Sequence, residues 1–262
     1  MERITSGSNR WVKQIGKLQR KKYRDQTGLF VIEGVRIVTD ALLAGIRDGI
    51  CLIGADRLQD PRADLLIQTG LSLGWLFCEI DTNVYKTVSC TEHGQGIIAI
   101  VPKPLMKNKA LSMETDGWAV FLDALQDPGN LGTVIRTAAA SGSAAVLLGK
   151  GCADPYSEKA VRSSMGSLFR VPVYQNVDIS YLKDRKQDPS IMLVATALEG
   201  GKDYRTVPLG KKGIFVFGNE GNGISPAIRA LCDQTVYIPL QRGVESLNVS
   251  VAASVILFHY LR

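Results

Sequence analysis

The chain has 262 residues, 45% of them hydrophobic and 21% charged, which is typical of a globular protein with one large domain or two modest ones. Its longest apolar candidate, Val249–Leu261, has the length of a core helix and is too short to span a membrane. The residues after Met1 lack a signal-peptide apolar segment, so we expect a cytoplasmic protein without a membrane partner.

The cysteine and histidine content argues against disulfide and metal chemistry. The five cysteines are scattered, odd in number and without a C-x-x-C pair, which favours reduced thiols. Only two histidines are present, His93 and His259, and no G-x-S-x-G sequence occurs. A histidine metal site or a Ser-His-Asp hydrolase is therefore a poor fit, and we expect no metal.

The basic excess behind the net charge of +6 lies in residues 1–24, which contain eight lysines and arginines and one glutamate. Ser8-Asn9 can cap a helix, which the pattern predicts from Arg10 to about Arg24. One predicted face of this helix is entirely basic, with Arg10, Lys13, Lys17, Lys21 and Arg24. Such a face favours RNA contact, the alternative being a solvated charged face over an apolar anchor.

Residues 25–101 alternate between strand and helix patterns, which predicts a small α/β domain with a mostly parallel or mixed sheet. The predicted strands are Leu29–Ile32, Ile50–Ile53, Leu76–Ile80 and Ile97–Val101, and the predicted helices are Val35–Ala44, Pro61–Thr69 and Tyr85–Ser89. Residues 102–117 contain two prolines and three lysines without a sustained period, and are predicted to be an interdomain linker.

Residues 118–262 show a second α/β rhythm. About six strands are predicted, at Trp118–Leu122, Ala145–Leu148, Val171–Tyr174, Ile191–Thr196, Ile214–Phe217 and Val236–Leu240. After the first of these strands, Asn130 is predicted to cap a helix over Leu131–Ala140, and a further helix is predicted over Ser157–Ser164. Arg136 in the first helix would then lie near the strand ends, where open α/β sheets bind ligands.

The polar residues between the last predicted strands and helices are the strongest functional signal. Gly218–Gly223 has the spacing G-x-x-G-x-G, which is not the dinucleotide fingerprint, and Ile224 replaces the lysine of a P-loop. An ordinary strand-to-helix turn would explain the glycines and Pro226. It would not explain Glu220, nor the Ser246-Leu247-Asn248 sequence that precedes the final helix.

Three segments, LQDPGNLGTVIRTAAASG, FGNEGNGIS and IPLQRGVESLNVSVAAS, resemble the ordered signature motifs of the SpoU/TrmH family of the SPOUT superfamily. FVIEGVRIVTDAL and TEHGQGIIAIV resemble its ribosomal-protein-L30-like RNA substrate-binding domain. The resemblance implies an L30-like domain over 25–101, followed by a trefoil-knotted α/β methyltransferase domain with a mostly parallel sheet over 118–262.

The resemblance also implies an activity, S-adenosylmethionine-dependent methylation of a ribose 2′-hydroxyl in RNA, with 23S ribosomal RNA favoured as substrate. A transfer-RNA methyltransferase is one alternative. A catalytically silent RNA-binding or ribosome-assembly factor is another, but it predicts erosion of the family's polar residues, and these are all present here. A nucleotide-dependent oxidoreductase is disfavoured by the glycine spacing.

The family's functional positions map onto this chain residue by residue. The motif-one arginine matches Arg136, and the other invariant polar positions match Asn130, Glu220, Ser246 and Asn248. The implied donor-binding residues are Thr196, Ala197, Leu198, Gly218, Asn219, Ile238, Leu240 and Leu247. Since a guanidinium stays protonated, we interpret Arg136 first as a charge that lowers the hydroxyl's pKa and second as a proton acceptor.

Two further expectations concern Glu220 and the last helix. Glu220 is expected to orient Arg136 or nearby backbone donors, the alternative being a structural ion pair. The helix from Asn248 to Leu261 is apolar on two sides, which indicates either burial within its own domain or a second partner. The family resemblance implies a homodimer through this C-terminal knot region.

Overall fold

The computed structural model describes residues 1–90, 94–104, 117–198 and 200–261. They form two compact units, one within Met1–Leu105 and Tyr156–Phe169 and the other within Met106–Pro155 and Arg170–Arg262. Most of the predicted linker, 105–116, lies outside the described residues. No helix in the described ranges is both long and apolar enough to cross a membrane.

The first unit contains a five-stranded mixed sheet. Its strands are Glu2–Ile4 (β1), Leu29–Glu33 (β2), Ile50–Gly54 (β3), Leu76–Ile80 (β4) and Ile97–Pro102 (β5), in the order β1-β4-β3-β5-β2. β5 runs antiparallel to β2 and β3, while β4 is parallel to β1 and β3. The helices are Arg10–Leu18 (α1), Lys21–Thr27 (α2), Val35–Leu43 (α3), Pro61–Ser72 (α4) and Thr82–Val88 (α5).

The prediction of one basic helix from Arg10 to about Arg24 is wrong. α1 ends at Leu18 and Arg20 is extended, so Lys21 belongs to a separate helix. Arg24 is 5% exposed, and its guanidinium donates hydrogen bonds to the carbonyls of Leu18 (2.6 Å) and Gln19 (2.9 Å). Arg24 therefore satisfies carbonyls that the end of α1 leaves open. It does not belong to the exposed face predicted for RNA contact.

The second unit contains a seven-stranded sheet in which every described strand pair is parallel. Its strands are Gly117–Leu122 (β6), Ala145–Gly149 (β7), Val173–Val177 (β8), Ile191–Thr196 (β9), Lys202–Asp203 (β10), Lys212–Phe217 (β11) and Gln234–Tyr237 (β12), in the order β10-β12-β9-β11-β6-β7-β8. The mostly parallel sheet is confirmed. The trefoil knot stays a prediction that rests on the family resemblance.

The remaining helices are Pro128–Ser141 (α6), Glu158–Ser164 (α7), Ile179–Arg185 (α8), Pro226–Arg229 (α9) and Val249–Tyr260 (α10). α6 begins earlier than predicted, because Asp127 and not Asn130 is its N-cap, with Pro128 following. The last strand, β12, ends at Tyr237, three residues before the end predicted for it, so Ile238–Leu240 lies outside the strand.

The segment Tyr156–Phe169, which contains α7, packs with the first unit although the sequence assigned it to the methyltransferase domain. The reason is aromatic contact, since the Phe30 ring lies 4.9 Å from that of Tyr156 and 6.1 Å from that of Phe169. The Lys103 ammonium also lies 4.9 Å from the centre of the Tyr156 ring.

Candidate functional site

A cavity of about 660 Å³ lies in the second unit, beside the carboxyl ends of β9, β11 and β12. Ligands of open parallel sheets bind at this edge, because the loops that leave the strands meet there. All eight residues predicted to bind the methyl donor line this cavity: Thr196, Ala197, Leu198, Gly218, Asn219, Ile238, Leu240 and Leu247. Their role in binding stays a prediction.

One wall of the cavity is the segment Gly218–Ile224, here called the glycine loop. Asn219 and Gly223 exchange two backbone hydrogen bonds, of 3.1 and 3.2 Å. The Asn219 Oδ1 also accepts from the backbone N–H groups of Gly221 (3.1 Å) and Asn222 (2.6 Å). A Cβ at Gly218 would overlap the backbone of Gly223 and Ile224, so only glycine fits at that position.

A second part of the wall includes Ser246, Leu247 and Asn248, just before α10. Asn248 is the N-cap of that helix, as the sequence predicted, and its Oδ1 accepts from Ser250 N (2.9 Å) and Ser250 Oγ (2.6 Å). The residues Gln241–Ser246 before it are exposed. Here Gln241–Leu247 is called the second loop.

Three of the predicted polar residues form one hydrogen-bonded chain. Asn130 Nδ2 donates to Glu220 Oε1 at 2.8 Å, and Asn248 Nδ2 donates to Asn130 Oδ1 at 2.9 Å. The backbone N–H of Asn130 is itself held by Asp127 Oδ1 at 2.8 Å. Asn130 therefore connects the glycine loop to the residue that follows the second loop. This polar chain joins three segments that are distant in sequence.

Arg136 does not join this polar chain. It lies on an exposed position of α6, and it is not among the residues that line the cavity. The Glu220 carboxylate accepts from the Asn130 amide and makes no described hydrogen bond with Arg136, so its role in orienting Arg136 or nearby backbone donors stays a prediction. Within the described part of the chain, Glu220 forms no ion pair either.

Sequence reasoning missed several residues of the cavity wall. Arg229 of α9 lines it, and among the described lining residues Arg229 and Glu220 are the two that carry a charge at neutral pH. Ala252 and Ile256 contribute from α10. Helical spacing placed these two on the apolar side of α10, but spacing alone does not distinguish a core contact from a cavity wall.

The lining suits a ligand that combines apolar and polar groups. Leu198, Ile238, Leu240 and Leu247 supply apolar surface, and the glycine loop brings backbone close to the cavity. Ligand sites of this volume are commonly apolar with a few placed polar groups. Adenine and the methionine side of S-adenosylmethionine have this mixed character, so the residues fit the predicted cofactor.

In the first unit, Glu33 holds the loop after α5 rather than facing outward. Its carboxylate accepts hydrogen bonds from Tyr85 OH (2.7 Å), Ser89 Oγ (2.5 Å) and Cys90 N (2.9 Å). Burial, together with the bond to Glu33, raises the pKa of Tyr85. Gln95 Oε1 accepts from the Val35 N–H at the start of α3 (3.0 Å).

The predicted basic surface is smaller than expected. Arg10, Lys13 and Lys17 are exposed on α1, and Lys21 is exposed on α2. The opposite side of α1 is anchored by Val12, Ile15 and Leu18, which are at most 6% exposed. α1 therefore presents three cations to solvent from a fixed apolar base.

Comparison with known proteins supports the family that the sequence motifs predicted. The model of the SpoU rRNA Methylase family matches residues 117–258, and that of the MRM3-like substrate binding domain matches residues 9–99. The chain is 36% identical to the 23S rRNA (guanosine(2553)-2'-O)-methyltransferase RlmP of Bacillus subtilis, over 99% of both chains. It is 30% identical to the 23S rRNA (uridine(2479)-2'-O)-methyltransferase of Streptomyces viridochromogenes, covering 99% of this chain and 92% of the relative.

A solved structure extends the similarity to the fold of the whole chain. The AdoMet-bound rRNA methyltransferase from Sinorhizobium meliloti superposes with a TM-score of 0.88 at 29% identity. The match covers 100% of this chain and 99% of the other.

Proposed function

Because the chain belongs to the SpoU rRNA methylase family, we propose that it transfers a methyl group from S-adenosylmethionine to a ribose 2′-hydroxyl of 23S ribosomal RNA. The observation that carries this proposal is the convergence of the predicted donor-binding residues on one cavity, joined by the Glu220–Asn130–Asn248 chain. Full-length similarity to two 23S rRNA 2'-O-methyltransferases supports the substrate. A ribosomal substrate also supports the predicted cytoplasmic location.

The chemistry is an in-line displacement, in which positioning provides most of the acceleration. When bound, the donor supplies an electrophilic methyl group on its sulfonium sulfur. Transfer would join the 2′-oxygen to the methyl carbon as the carbon–sulfur bond breaks, would leave S-adenosylhomocysteine as the product, and would pass the hydroxyl proton to solvent. The glycine loop and the second loop would hold the donor, and Glu220, Asn130 and Asn248 would keep these two walls in register.

Arg136 would act on the RNA side of the reaction. Its exposed position suits contact with a phosphate and the ribose next to it. A guanidinium there stabilises the developing negative charge on the 2′-oxygen and lowers the hydroxyl's pKa. Ser246, which is exposed and lines the cavity, is proposed to contact the ribose as well.

The test uses purified protein, labelled S-adenosylmethionine and 23S rRNA from cells that lack the protein, followed by mapping of the 2′-O-methyl group. We expect one modified nucleotide. Arg136→Ala should lower the rate by at least about a hundredfold while product binding stays unchanged, and Arg136→Lys should recover little. Donor binding without methyl transfer to any RNA would favour the silent RNA-binding factor, and turnover on transfer RNA would change the substrate.

α1 is proposed to contact the RNA backbone through Arg10, Lys13 and Lys17. Changing all three to glutamate should weaken RNA binding and lower the slope of log affinity against log salt by up to about three units. The affinity for S-adenosylhomocysteine, measured by calorimetry, should stay the same and serves as the control. If the RNA affinity and the salt slope equal those of the unaltered protein, the basic face of α1 is solvated and does not contact RNA.

A homodimer through α10 is the remaining proposal. Val251 is 47% exposed and Val255 is only partly buried, which leaves an apolar side of α10 available to a second copy. Val251→Glu should yield a monomer in sedimentation, whereas an unaltered protein that is monomeric at micromolar concentration would contradict the proposal. Ala252→Glu is the poorer test because Ala252 lines the cavity itself.

A further inference from the structure

One residue outside the predicted set holds both ends of the glycine loop. Asp123 follows β6, and its backbone N–H donates to the Phe217 carbonyl at 2.8 Å, immediately before the loop. Its Oδ2 accepts from the Ser225 N–H at 2.7 Å, immediately after the loop. Phe217 and Ser225 are thus both hydrogen-bonded to Asp123, the residue that directly follows the neighbouring strand β6.

The environment of Asp123 makes this attachment a strong one. Asp123 is 9% exposed, and a buried carboxylate is costly unless it accepts hydrogen bonds. A hydrogen bond from a backbone N–H to a carboxylate is shorter and stronger than one to a neutral acceptor. The Ser225 N–H also needs such an acceptor, because Ser225 is the N-cap of α9 and the helix supplies none.

The internal shape and the position of the glycine loop are therefore set by different residues. Asn219 closes the loop on itself through its backbone and its Oδ1. These bonds fix the turn but do not attach it to the sheet. The attachment comes from β11 at one end and from the Asp123 carboxylate at the other.

We propose that Asp123 is a positioning residue for the methyl-donor site, which holds the glycine loop against the sheet so that Gly218, Asn219 and Glu220 face the cavity. This inference rests on the proposed function. The position of the glycine loop also affects the polar chain, because Glu220 in this loop accepts a hydrogen bond from Asn130. Asp123 need not touch the donor, and it does not line the cavity.

The experiment compares Asp123→Ala with Asp233→Ala in the full chain. Asp233 is the control because its Oδ2 also accepts a backbone N–H, that of Leu193 at 2.9 Å, at the opposite ends of β9 and β12. Unlike Asp123, it is exposed, and its Oδ1 also pairs with Lys186. Calorimetry with S-adenosylhomocysteine gives the affinity, and thermal unfolding gives the stability of each variant.

We expect Asp123→Ala to weaken product binding at least about tenfold, because the partly buried Ser225 N–H loses a charged acceptor. Asp233→Ala should lower the melting temperature while changing the affinity less than about twofold. Asp123→Asn keeps an acceptor oxygen without the charge and should lose about two- to fivefold. Hydrogen exchange at the Ser225 amide should quicken strongly in Asp123→Ala, which loses this bond, and less in Asp123→Asn, in which the bond is weakened.

Unchanged affinity in Asp123→Ala, or equal weakening in Asp233→Ala, overturns the positioning role. If Asp123→Ala does not fold, Asp123→Asn decides alone, and an affinity equal to that of the unaltered protein overturns the role. Failure of the unaltered protein itself to bind S-adenosylhomocysteine would instead refute the proposed function.

Discussion

The two walls of the candidate cavity, the glycine loop and the second loop, are built differently. The glycine loop is crossed by hydrogen bonds from Asn219 to its own backbone, and its exit is held by Asp123. Among the described residues, the second loop has one backbone hydrogen bond of its own, from Val244 N to Gln241 O at 3.2 Å. The shape of the glycine loop is thus set by its own hydrogen bonds before a ligand binds. The single bond of the second loop leaves most of that loop without such a constraint.

This difference predicts that the two walls contribute unequally to the free energy of donor binding. Ordering a loop costs conformational entropy for each residue that loses freedom. A donor that contacts both walls meets that cost mainly in the second loop, since the glycine loop is already bonded. Asn130 is the link between the two walls, because it bonds Glu220 on one side and Asn248 on the other.

The largest effect is expected from disrupting the glycine loop. Gly218→Ala places a methyl group against the backbone of Gly223 and Ile224, so the loop must move. The affinity for S-adenosylhomocysteine, measured by calorimetry, should fall by about a hundredfold, which corresponds to about 2.7 kcal/mol.

Gly221→Ala is the matched control for that substitution. Gly221 is exposed in the same loop, and the nearest atom to an added Cβ is Asn219 Oδ1 at 4.0 Å. We expect an affinity within about twofold of the unaltered protein. Equal losses in both variants would mean that the glycines act through chain entropy and not through the close approach at Gly218.

A smaller effect is expected from separating the two walls. Asn130→Ala removes the bonds to Glu220 and Asn248 and should lower the methyl-transfer rate about tenfold, with a loss of up to about fivefold in product affinity. Thr133→Ala is the control, because Thr133 Oγ1 donates to Gly129 O (2.9 Å) on the same helix without touching either wall. An unaltered rate in Asn130→Ala would show that the walls do not need this link.

The smallest expected effect is a change in amide exchange without any substitution. S-adenosylhomocysteine should slow hydrogen exchange in the second loop about tenfold, since binding orders it. In the glycine loop, where the amides of Gly221, Asn222 and Gly223 are already bonded, the change should be below about twofold. Equal protection of the two loops would contradict the contrast between them.

Much of the fold was predictable because apolar runs mark buried parallel strands. Ile191–Thr196 was predicted with the limits that β9 has in the structure. The N-cap of α6 was also readable from the sequence, since Asp127 precedes Pro128 and proline favours the first helical position. The prediction of Asn130 as the N-cap overlooked that signal. Because Asp127 caps the helix, the Asn130 side chain is available for its contacts with Glu220 and Asn248.

Other features had no local signal. The end of α1 at Leu18 depends on Arg24 reaching back to the Leu18 and Gln19 carbonyls, which a periodic basic pattern does not reveal. The packing of Tyr156–Phe169 with the first unit depends on Phe30, which is far away in sequence. Helical and strand periods report which side of an element is apolar, and not which surface covers it.

For the site, the sequence by itself determined the chemical groups and the loops that carry them, because glycines, asparagines and a glutamate at strand ends have few roles in a packed core. Only the tertiary structure decided their partners. It joined Glu220 to Asn130 and not to Arg136, left Arg136 exposed, and placed Asp123 at both ends of the glycine loop. The physical reason is that a hydrogen bond requires a few tenths of an ångström of geometry between segments about a hundred residues apart, and the order of residues along the chain does not contain that distance.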